Sequence, residues 1–209
     1  MSIKNTNNTN KKSKEFMDKQ RKVTNEYYDI LESDHNTKDI RALIERDPDF
    51  YDPYLYVAND LRELGQELQA RQLEDDAFKR ACARIEDKKG NWPDKMSWSW
   101  LENRHIVRAL VVGADNFWKD DKKDEALSIY RKLFHSNLND NIGARYAIIA
   151  LRLRLTYEEY MRQVWPESTM PAEHISKWFK KNAPKFPEEL QEWKNYCKKE
   201  LGLREKDLS

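Results

Sequence analysis

The stretch WKDDKKDEALSIYRKL, from Trp118 to Leu133, joins a charged turn to an apolar stripe that contains one small residue. Ala126, Ile129 and Tyr130 lie at the spacing of one face of an α-helix. Two antiparallel helices that pack closely need a small side chain where their axes approach. The stretch therefore predicts a helical hairpin with Ala126 at the point where its two helices cross.

The same spacing of alanines occurs twice in the chain. When the sequence is shifted by 56 residues, Ala58 aligns with Ala114 and Ala70 aligns with Ala126. In each unit the two alanines are 12 residues apart and flank a short turn. This internal repeat predicts two similar helix pairs. The alternative is a non-repeating helical bundle whose alanines align by chance.

The rest of the chain also has the periodicity of helices. No segment after Glu15 alternates with period two for long, so we predict an all-α fold. Thr156 and Glu159 have the spacing of a capping box, which predicts a helix start there. The predicted helix pairs cover about 51–86, about 97–138 and, in a degenerate form, about 140–165.

Extra segments are predicted on both sides of these pairs. We expect an N-terminal helix over about 15–32, a short helix that starts near Asn36 or Thr37, and capping helices over about 170–202. Residues 1–14 are polar and poor in apolar side chains, so we predict a disordered tail. Residues 15–209 are then one α-helical domain.

Two segments place small and aromatic residues at recurring offsets. Residues 107–140 contain Ala114, Phe117, Ala126 and Tyr130, and residues 51–84 contain Ala58, Leu61, Gly65, Ala70 and Ala77. This pattern resembles the tetratricopeptide repeat (TPR), a helix–turn–helix unit of about 34 residues, as it occurs in bacterial TPR proteins of unassigned function. Leu138 stands where the repeat has proline, and Glu74 stands where it has its second aromatic residue. The resemblance implies a right-handed superhelix of antiparallel helix pairs with a concave groove.

The resemblance also implies which residues line the groove, because the first helix of each pair faces it. These residues are Tyr56, Asn59 and Arg62 from the first pair, Arg108, Val112 and Asp115 from the second, and Arg145, Tyr146, Ile149 and Arg152 from the degenerate third. An arginine recurs in each helix, and guanidinium groups bind carboxylates through paired hydrogen bonds. We therefore expect a non-catalytic interaction or scaffolding module that binds an acidic or C-terminal peptide segment of a protein partner. The alternative is that these arginines pair with local Asp and Glu side chains.

The charge of the chain is nearly balanced. Lys and Arg number 38 and Asp and Glu number 37, so the formal net charge is +1 and nucleic acid is not the expected partner. The rival interpretation is a regulatory factor that contacts nucleic acid through Arg145, Arg152, Arg154 and Arg162. The sequence contains neither a run of ~20 apolar residues nor the apolar segment of a signal peptide, so we expect no membrane partner and a cytoplasmic location.

Catalytic and metal-binding motifs are not apparent in the sequence. The histidines include no i, i+4 pair, and Cys82 and Cys197 share no metal-type spacing. We therefore expect no enzyme, no metal and no cofactor. The nearest alternative is a hydrolase centred on Glu102, Arg104 and His105, which together supply acid–base groups and a cation. A solvated helix face with a Glu–Arg contact is the simpler interpretation of these residues.

Aromatic residues are concentrated at two places. The first group, Trp92, Trp98, Trp100 and Trp118, indicates either a ligand pocket or a cap on the core. The second group is predicted to dock the last helices as a C-terminal cap, and it contains Trp165, Trp178, Phe179, Phe186, Trp193 and Tyr196.

Overall fold

Helices follow one another along the computed structural model, which describes residues 15–33, 37–165 and 172–204. They are α1 (Val23–Glu32), α2 (Thr37–Arg46), α3 (Asp52–Glu63), α4 (Glu67–Ile85), α5 (Leu101–Lys119), α6 (Lys123–Ser136), α7 (Ala144–Arg152), α8 (Tyr157–Val164), α9 (Ala172–Asn182) and α10 (Pro187–Glu200), with a 3₁₀ turn at Ala183–Lys185. No strand occurs in these described ranges, so the all-α prediction is confirmed for them. The predicted tail, residues 1–14, and the predicted cap Asn36 lie outside the described residues.

The first helix begins at Val23, well inside the predicted range. The segment before it is bound to the region around the start of α5. The Phe16 N–H donates to the Lys95 carbonyl at 2.8 Å, and the Asn103 side chain bonds to both the Phe16 carbonyl and the Asp18 N–H at 3.0 Å. Because these tertiary hydrogen bonds satisfy the backbone groups, the segment remains non-helical despite its helical periodicity.

Helix α5 also begins later than predicted, at Leu101 instead of about residue 97. The carbonyl of Ser97 accepts a hydrogen bond from the Asn103 amide at 3.1 Å, and the carbonyl of Trp98 accepts one from Arg104 Nε at 3.0 Å. Side chains of the first turn of α5 therefore donate hydrogen bonds to the carbonyls that would accept backbone N–H groups if the helix began earlier.

The capping box predicted at Thr156 is confirmed. The Thr156 hydroxyl accepts from the Glu159 N–H at 3.1 Å, and the Glu159 carboxylate accepts from the Thr156 N–H at 2.8 Å. This reciprocal pair satisfies backbone donors at the start of α8.

Helices that are neighbours in sequence pack on one another. α3 packs against α4, α4 against α5, α5 against α6 and α6 against α7, and α3 also contacts α5. Because a short turn joins α3 to α4 and α5 to α6, the helices of each pair run antiparallel. Ala58, Ala70, Ala114 and Ala126 have no exposed surface, as their predicted role at helix crossings requires. None of the described helices combines the length and apolarity of a membrane-spanning segment.

Gly113 lies where α5 packs against α4. A Cβ atom at this position would be 2.0 Å from Cδ2 of Phe78, whose ring is itself packed edge-on against Phe117. We expect Gly113→Ala to lower the free energy of unfolding by about 2 kcal/mol, because overpacking costs more than the helix propensity of alanine recovers. Urea-induced unfolding followed by far-UV circular dichroism measures the change.

The matched control is the same substitution in a Phe78→Ala background. Since the ring is then absent, the cost of Gly113→Ala should disappear or reverse sign. An equal cost in both backgrounds would show that the contact with Phe78 is not its cause.

Candidate functional site

One face of α5 carries partly exposed side chains along its whole length. Arg104, Arg108, Val112, Asp115 and Lys119 recur at intervals of three and four residues on this face. α5 contacts α3, α4, α6 and α8, so the face lies in the middle of the array. The groove residues predicted from the second helix pair thus share one helix face.

The predicted groove arginines on α3 and α5 are bound to carboxylates of this chain. Arg108 Nε donates to Asp52 at 2.8 Å, and Arg62 Nη2 donates to the buried Glu74 at 2.9 Å. Arg62 Nε also donates to Glu67 at 3.1 Å. These contacts match the alternative interpretation, in which the arginines pair with Asp and Glu side chains of the same chain. An acidic segment that binds them has to displace these carboxylates.

Tyr56, Asn59 and Val112 complete the predicted groove on α3 and α5. Tyr56 is half-buried against the small core beneath α1 and α2. Asn59 is exposed, and its amide donates to Glu63 at 3.1 Å. Val112 is half-buried on the α5 face.

The predicted groove residues on α7 face the C-terminal helices. The Arg145 guanidinium lies 4.3 Å from the ring centroid of Tyr146 and 5.1 Å from that of Trp193. The Tyr146 ring packs edge-on against Phe179, with 5.3 Å between centroids. Ile149 has no exposed surface because its side chain packs in the main core, so the prediction that placed it in the groove is wrong.

Arg152, the last predicted groove residue, contacts α10. Its guanidinium donates to Glu188 at 3.0 Å and also to Glu189. The Glu189 carboxylate accepts a further hydrogen bond from Arg131 of α6. The Arg152 guanidinium lies 4.7 Å from the ring centroid of Phe186. Helices α9 and α10 therefore cover the face of α7 that was assigned to the groove.

The arginines of the nucleic-acid interpretation are mostly paired within the chain. Arg145 donates to Asp140 at 2.7 Å, Arg152 binds α10 and Arg154 donates to Asp124 at 2.8 Å. Arg162 is exposed on α8. A phosphate backbone would have to compete with carboxylates at three of these four positions.

Asp115 accepts hydrogen bonds from tyrosines of two other helices. The hydroxyl of Tyr130 on α6 donates to one carboxylate oxygen, and that of Tyr157 on α8 donates to the other at 3.3 Å. Burial raises the pKa of Asp115 to about 6, although both hydrogen bonds and the charge of Lys119 act in the opposite direction. Asp115 therefore connects α5 to α6 and α8.

We expect Asp115→Asn to alter the pH dependence of stability. The folded-state pKa of about 6 lies above the ordinary 3.8, so the folded protein binds this proton more tightly than the unfolded chain. The wild type therefore loses stability as the pH rises through this range, whereas asparagine does not titrate. The free energy of unfolding of the variant relative to the wild type should rise by about 2–3 kcal/mol between about pH 4 and about pH 7.

Urea unfolding at each pH measures this difference. Asp124→Asn is the control, because the Asp124 side chain is mostly exposed. If the free energy of unfolding changes with pH in the same way for wild type and Asp115→Asn, the raised pKa of Asp115 is contradicted.

His105, from the hydrolase interpretation, has both ring nitrogens engaged. The Tyr51 N–H donates to Nδ1 at 3.2 Å, so Nε2 carries the proton and donates to Asp18 at 3.1 Å. Asp18 also accepts from Arg21 at 3.0 Å and from Arg84 at 2.7 Å. The ring of His105 is buried, and its hydrogen bonds hold the N-terminal segment against α5.

A cleft of about 410 Å³ opens between α1 and the start of α5 and is named here the α1–α5 cleft. Its lining includes Lys19, Tyr28, Phe50, Leu101, Glu102, Arg104 and His105. The structure thus brings the three residues of the hydrolase interpretation to one cleft. None of the predicted groove residues lines it.

Large apolar side chains are exposed around this cleft. Tyr28 and Leu101 line it, Trp100 precedes Leu101, and Met17 lies in the segment that crosses the start of α5. These four side chains are called the N-terminal apolar surface below. Trp100 remains exposed although its indole N–H donates to Glu15 at 3.0 Å. Grouped exposed apolar side chains of this kind mark interaction sites.

Metal-binding geometry is not found in the described part of the chain, where no three His, Cys, Asp or Glu side chains are grouped to hold an ion. Cys82 and Cys197 are free thiols. Burial raises the pKa of Cys82 to about 12, so this thiol stays protonated at neutral pH.

The chain matches no protein-family model, no curated protein and no solved structure. Its function is therefore inferred from its own fold and side chains.

Proposed function

We propose that this chain is a non-catalytic binding module, built as a right-handed superhelix of tetratricopeptide-like helix pairs. The order of packing supports this architecture: α3/α4 and α5/α6 are antiparallel pairs, and α4 packs against both α3 and α5. The first helices of these two pairs, α3 and α5, also contact each other. Packing between nearest neighbours leaves an extended face on which such arrays bind their partners.

The N-terminal apolar surface is the observation that carries the binding function. Its four side chains, Trp100, Tyr28, Met17 and Leu101, are large and exposed, and aromatic and methionine side chains are enriched at the centres of protein interfaces. The partner is a protein segment that presents apolar side chains. This location differs from the groove expected from the sequence, because the arginines of that groove already bind intrachain carboxylates.

Site-specific photo-crosslinking tests the location. Benzoylphenylalanine is introduced at Leu101, which is 68% exposed, and in a separate variant at Leu68 of α4, which is 72% exposed. In a lysate of the source organism we expect a discrete cross-linked protein from position 101 and none from position 68. Trp100→Ala should abolish the product, because it removes the neighbouring aromatic side chain.

The two positions are matched in residue type and exposure, so they differ mainly in location. Cross-linking at both positions alike, or at neither, would contradict a docking site on the N-terminal apolar surface.

A further inference from the structure

The α1–α5 cleft is lined by aromatic side chains. The rings of Phe50 and His105 pack together there with 5.1 Å between centroids. Tyr28 lines the cleft from α1 and Leu101 lines it from the first turn of α5. Cavities of ~300–1,000 Å³ that combine apolar walls with a few fixed polar groups are typical of small-molecule sites.

Arg104 is a half-buried cation of this cleft, and it has no carboxylate partner among the residues that the structure describes. Its Nε donates to the Trp98 carbonyl at 3.0 Å, and its guanidinium lies 5.2 Å from the Trp98 ring centroid, so the chain itself fixes its position. Within the described residues no carboxylate lies at ion-pair distance from Arg104, whereas the nearby Arg21 and Arg108 each bind an Asp side chain.

A guanidinium held in place with N–H groups to spare is a preorganised site for a carboxylate. Because it is half-buried, an anion beside it is screened less by solvent than one at an exposed arginine. Lys19 adds a second positive charge at the edge of the cleft.

The acidic residues around the cleft have other partners or roles. Asp52 binds Arg108, and Asp18 binds Arg21, Arg84 and His105. Glu102 lies in the first turn of α5, where the N-cap residue supplies no side-chain hydrogen bond and a carboxylate stabilises the helix terminus.

The N-terminal stretch of the chain has the wrong charge to fill the site. Residues 1–14 contain four lysines and no Asp or Glu. These residues therefore supply no anion for Arg104.

We propose that the α1–α5 cleft binds an organic anion in which a carboxylate is joined to an apolar body about the size of an aromatic ring. The carboxylate binds Arg104, with Lys19 at the edge of the site. The apolar body lies on Phe50, Tyr28 and Leu101. This ligand site goes beyond the protein-docking function proposed above and does not depend on it.

Isothermal titration calorimetry with matched probes tests the site. The probes are 4-phenylbutyrate, its neutral analogue 4-phenylbutanamide, and acetate. We expect 4-phenylbutyrate to bind at least about tenfold more tightly than either of the others, because only it supplies both the charge and the apolar body. Equal affinity for the acid and the amide overturns the proposal, and this comparison needs only the wild-type protein.

Two substitutions separate the contribution of the charge from that of the apolar contact. Arg104→Gln should weaken binding of 4-phenylbutyrate by about tenfold or more and remove the preference for acid over amide. Leu101→Ser should weaken binding of acid and amide alike. Arg41→Gln, at an exposed arginine of α2 outside the cleft, is the control and should change nothing. An unchanged affinity in a folded Arg104→Gln variant would also overturn the proposal.

The same chemistry occurs in a free carboxylate metabolite and at the C-terminus of a polypeptide that ends in phenylalanine. An octapeptide ending in Phe is therefore titrated with a free and with an amidated C-terminus. Tighter binding of the free-acid peptide than of 4-phenylbutyrate identifies a polypeptide terminus as the source, and weaker binding identifies a small molecule. Cross-linking at Leu101 is a separate readout, so failure of the docking proposal leaves this result unaffected.

Discussion

Asp18→Asn is expected to lower the free energy of unfolding by about 3–5 kcal/mol at neutral pH, as the loss of a buried ion-pair partner does. The Asp18 side chain has no exposed surface and accepts hydrogen bonds from Arg21, Arg84 and His105. Asparagine cannot neutralise the two guanidinium groups. The substitution therefore leaves partly buried positive charge without compensation.

The effect should depend on pH in a defined direction. Burial alone would raise the pKa of Asp18, but hydrogen bonds from His105 and Arg84 and the charge of Arg21 hold it well below its usual range. A carboxyl group with a lowered folded-state pKa contributes stability above its unfolded pKa, and this contribution is lost as the pH falls. The difference between wild type and Asp18→Asn should therefore shrink below about pH 4, and urea unfolding at a series of pH values measures it.

Hydrogen exchange shows which part of the chain Asp18→Asn destabilises. Asp18 ties the N-terminal segment to Arg84 of α4 and His105 of α5, so residues 15–33 should lose protection first. Glu15→Gln is the control, because Glu15 contacts Lys95 and Trp100 near the surface, where such pairs contribute about 1 kcal/mol or less. A uniform loss of protection across the chain would contradict a local role for Asp18.

The cleft and the N-terminal apolar surface depend on this anchor. Lys19 reaches the cleft from the segment that is bound across the start of α5, and Tyr28 reaches it from α1, which follows that segment. Asp18→Asn should therefore abolish 4-phenylbutyrate binding and cross-linking at Leu101 together, whereas Arg104→Gln should affect only the former.

Local sequence signals predicted the elements whose causes are local. The spacing of Ala58, Ala70, Ala114 and Ala126 predicted buried positions in helix pairs, and all four side chains are fully buried. Thr156 and Glu159 predicted a helix start from two residues alone. Periodicity and capping act over a few residues, so one sequence is sufficient to detect them.

Features that depend on distant residues were not predictable in this way. The N-terminal segment is kept out of a helix by Asn103, which is 85 residues away from Asp18 in the chain. The groove prediction failed at Ile149 because packing in the main core buries its side chain. Gly113 is visible in the sequence, but its contact with Phe78 depends on how α4 and α5 pack.

The α1–α5 cleft also depends on contacts between residues that are distant in the sequence. It is assembled from the N-terminal segment, α1, Phe50 and the first turn of α5, which are separate in the sequence. The sequence did single out Glu102, Arg104 and His105, but as a catalytic group. Their different roles follow from tertiary contacts: His105 is bound through both nitrogens, and Arg104 lacks a carboxylate among the described residues.

Trp118→Ala is expected to lower the free energy of unfolding by about 3–5 kcal/mol, the usual cost of truncating a buried tryptophan. Trp118 is fully buried where α5, α6 and α8 meet, and its ring stacks on Tyr160 with 4.8 Å between centroids. It also contacts Tyr130 and Tyr157 edge-on. Its indole N–H donates to the Leu155 carbonyl at 2.9 Å. Urea unfolding with circular dichroism in the near and far ultraviolet measures the loss.

Trp118→Phe divides this effect into packing and hydrogen bonding. Phenylalanine keeps an aromatic ring but leaves the Leu155 carbonyl without its donor, so we expect a loss of about 1–2 kcal/mol. Trp100→Ala is the comparison, because Trp100 belongs to the same sequence cluster but is exposed, and its loss should cost about 0.5 kcal/mol. Separate roles for the two tryptophans give opposite results in the two variants. Trp100→Ala should abolish cross-linking at Leu101 while the protein stays stable. Trp118→Phe should retain cross-linking although its free energy of unfolding is lower. Equal stability losses for Trp118→Ala and Trp100→Ala would contradict the assignment of Trp118 to the junction of α5, α6 and α8.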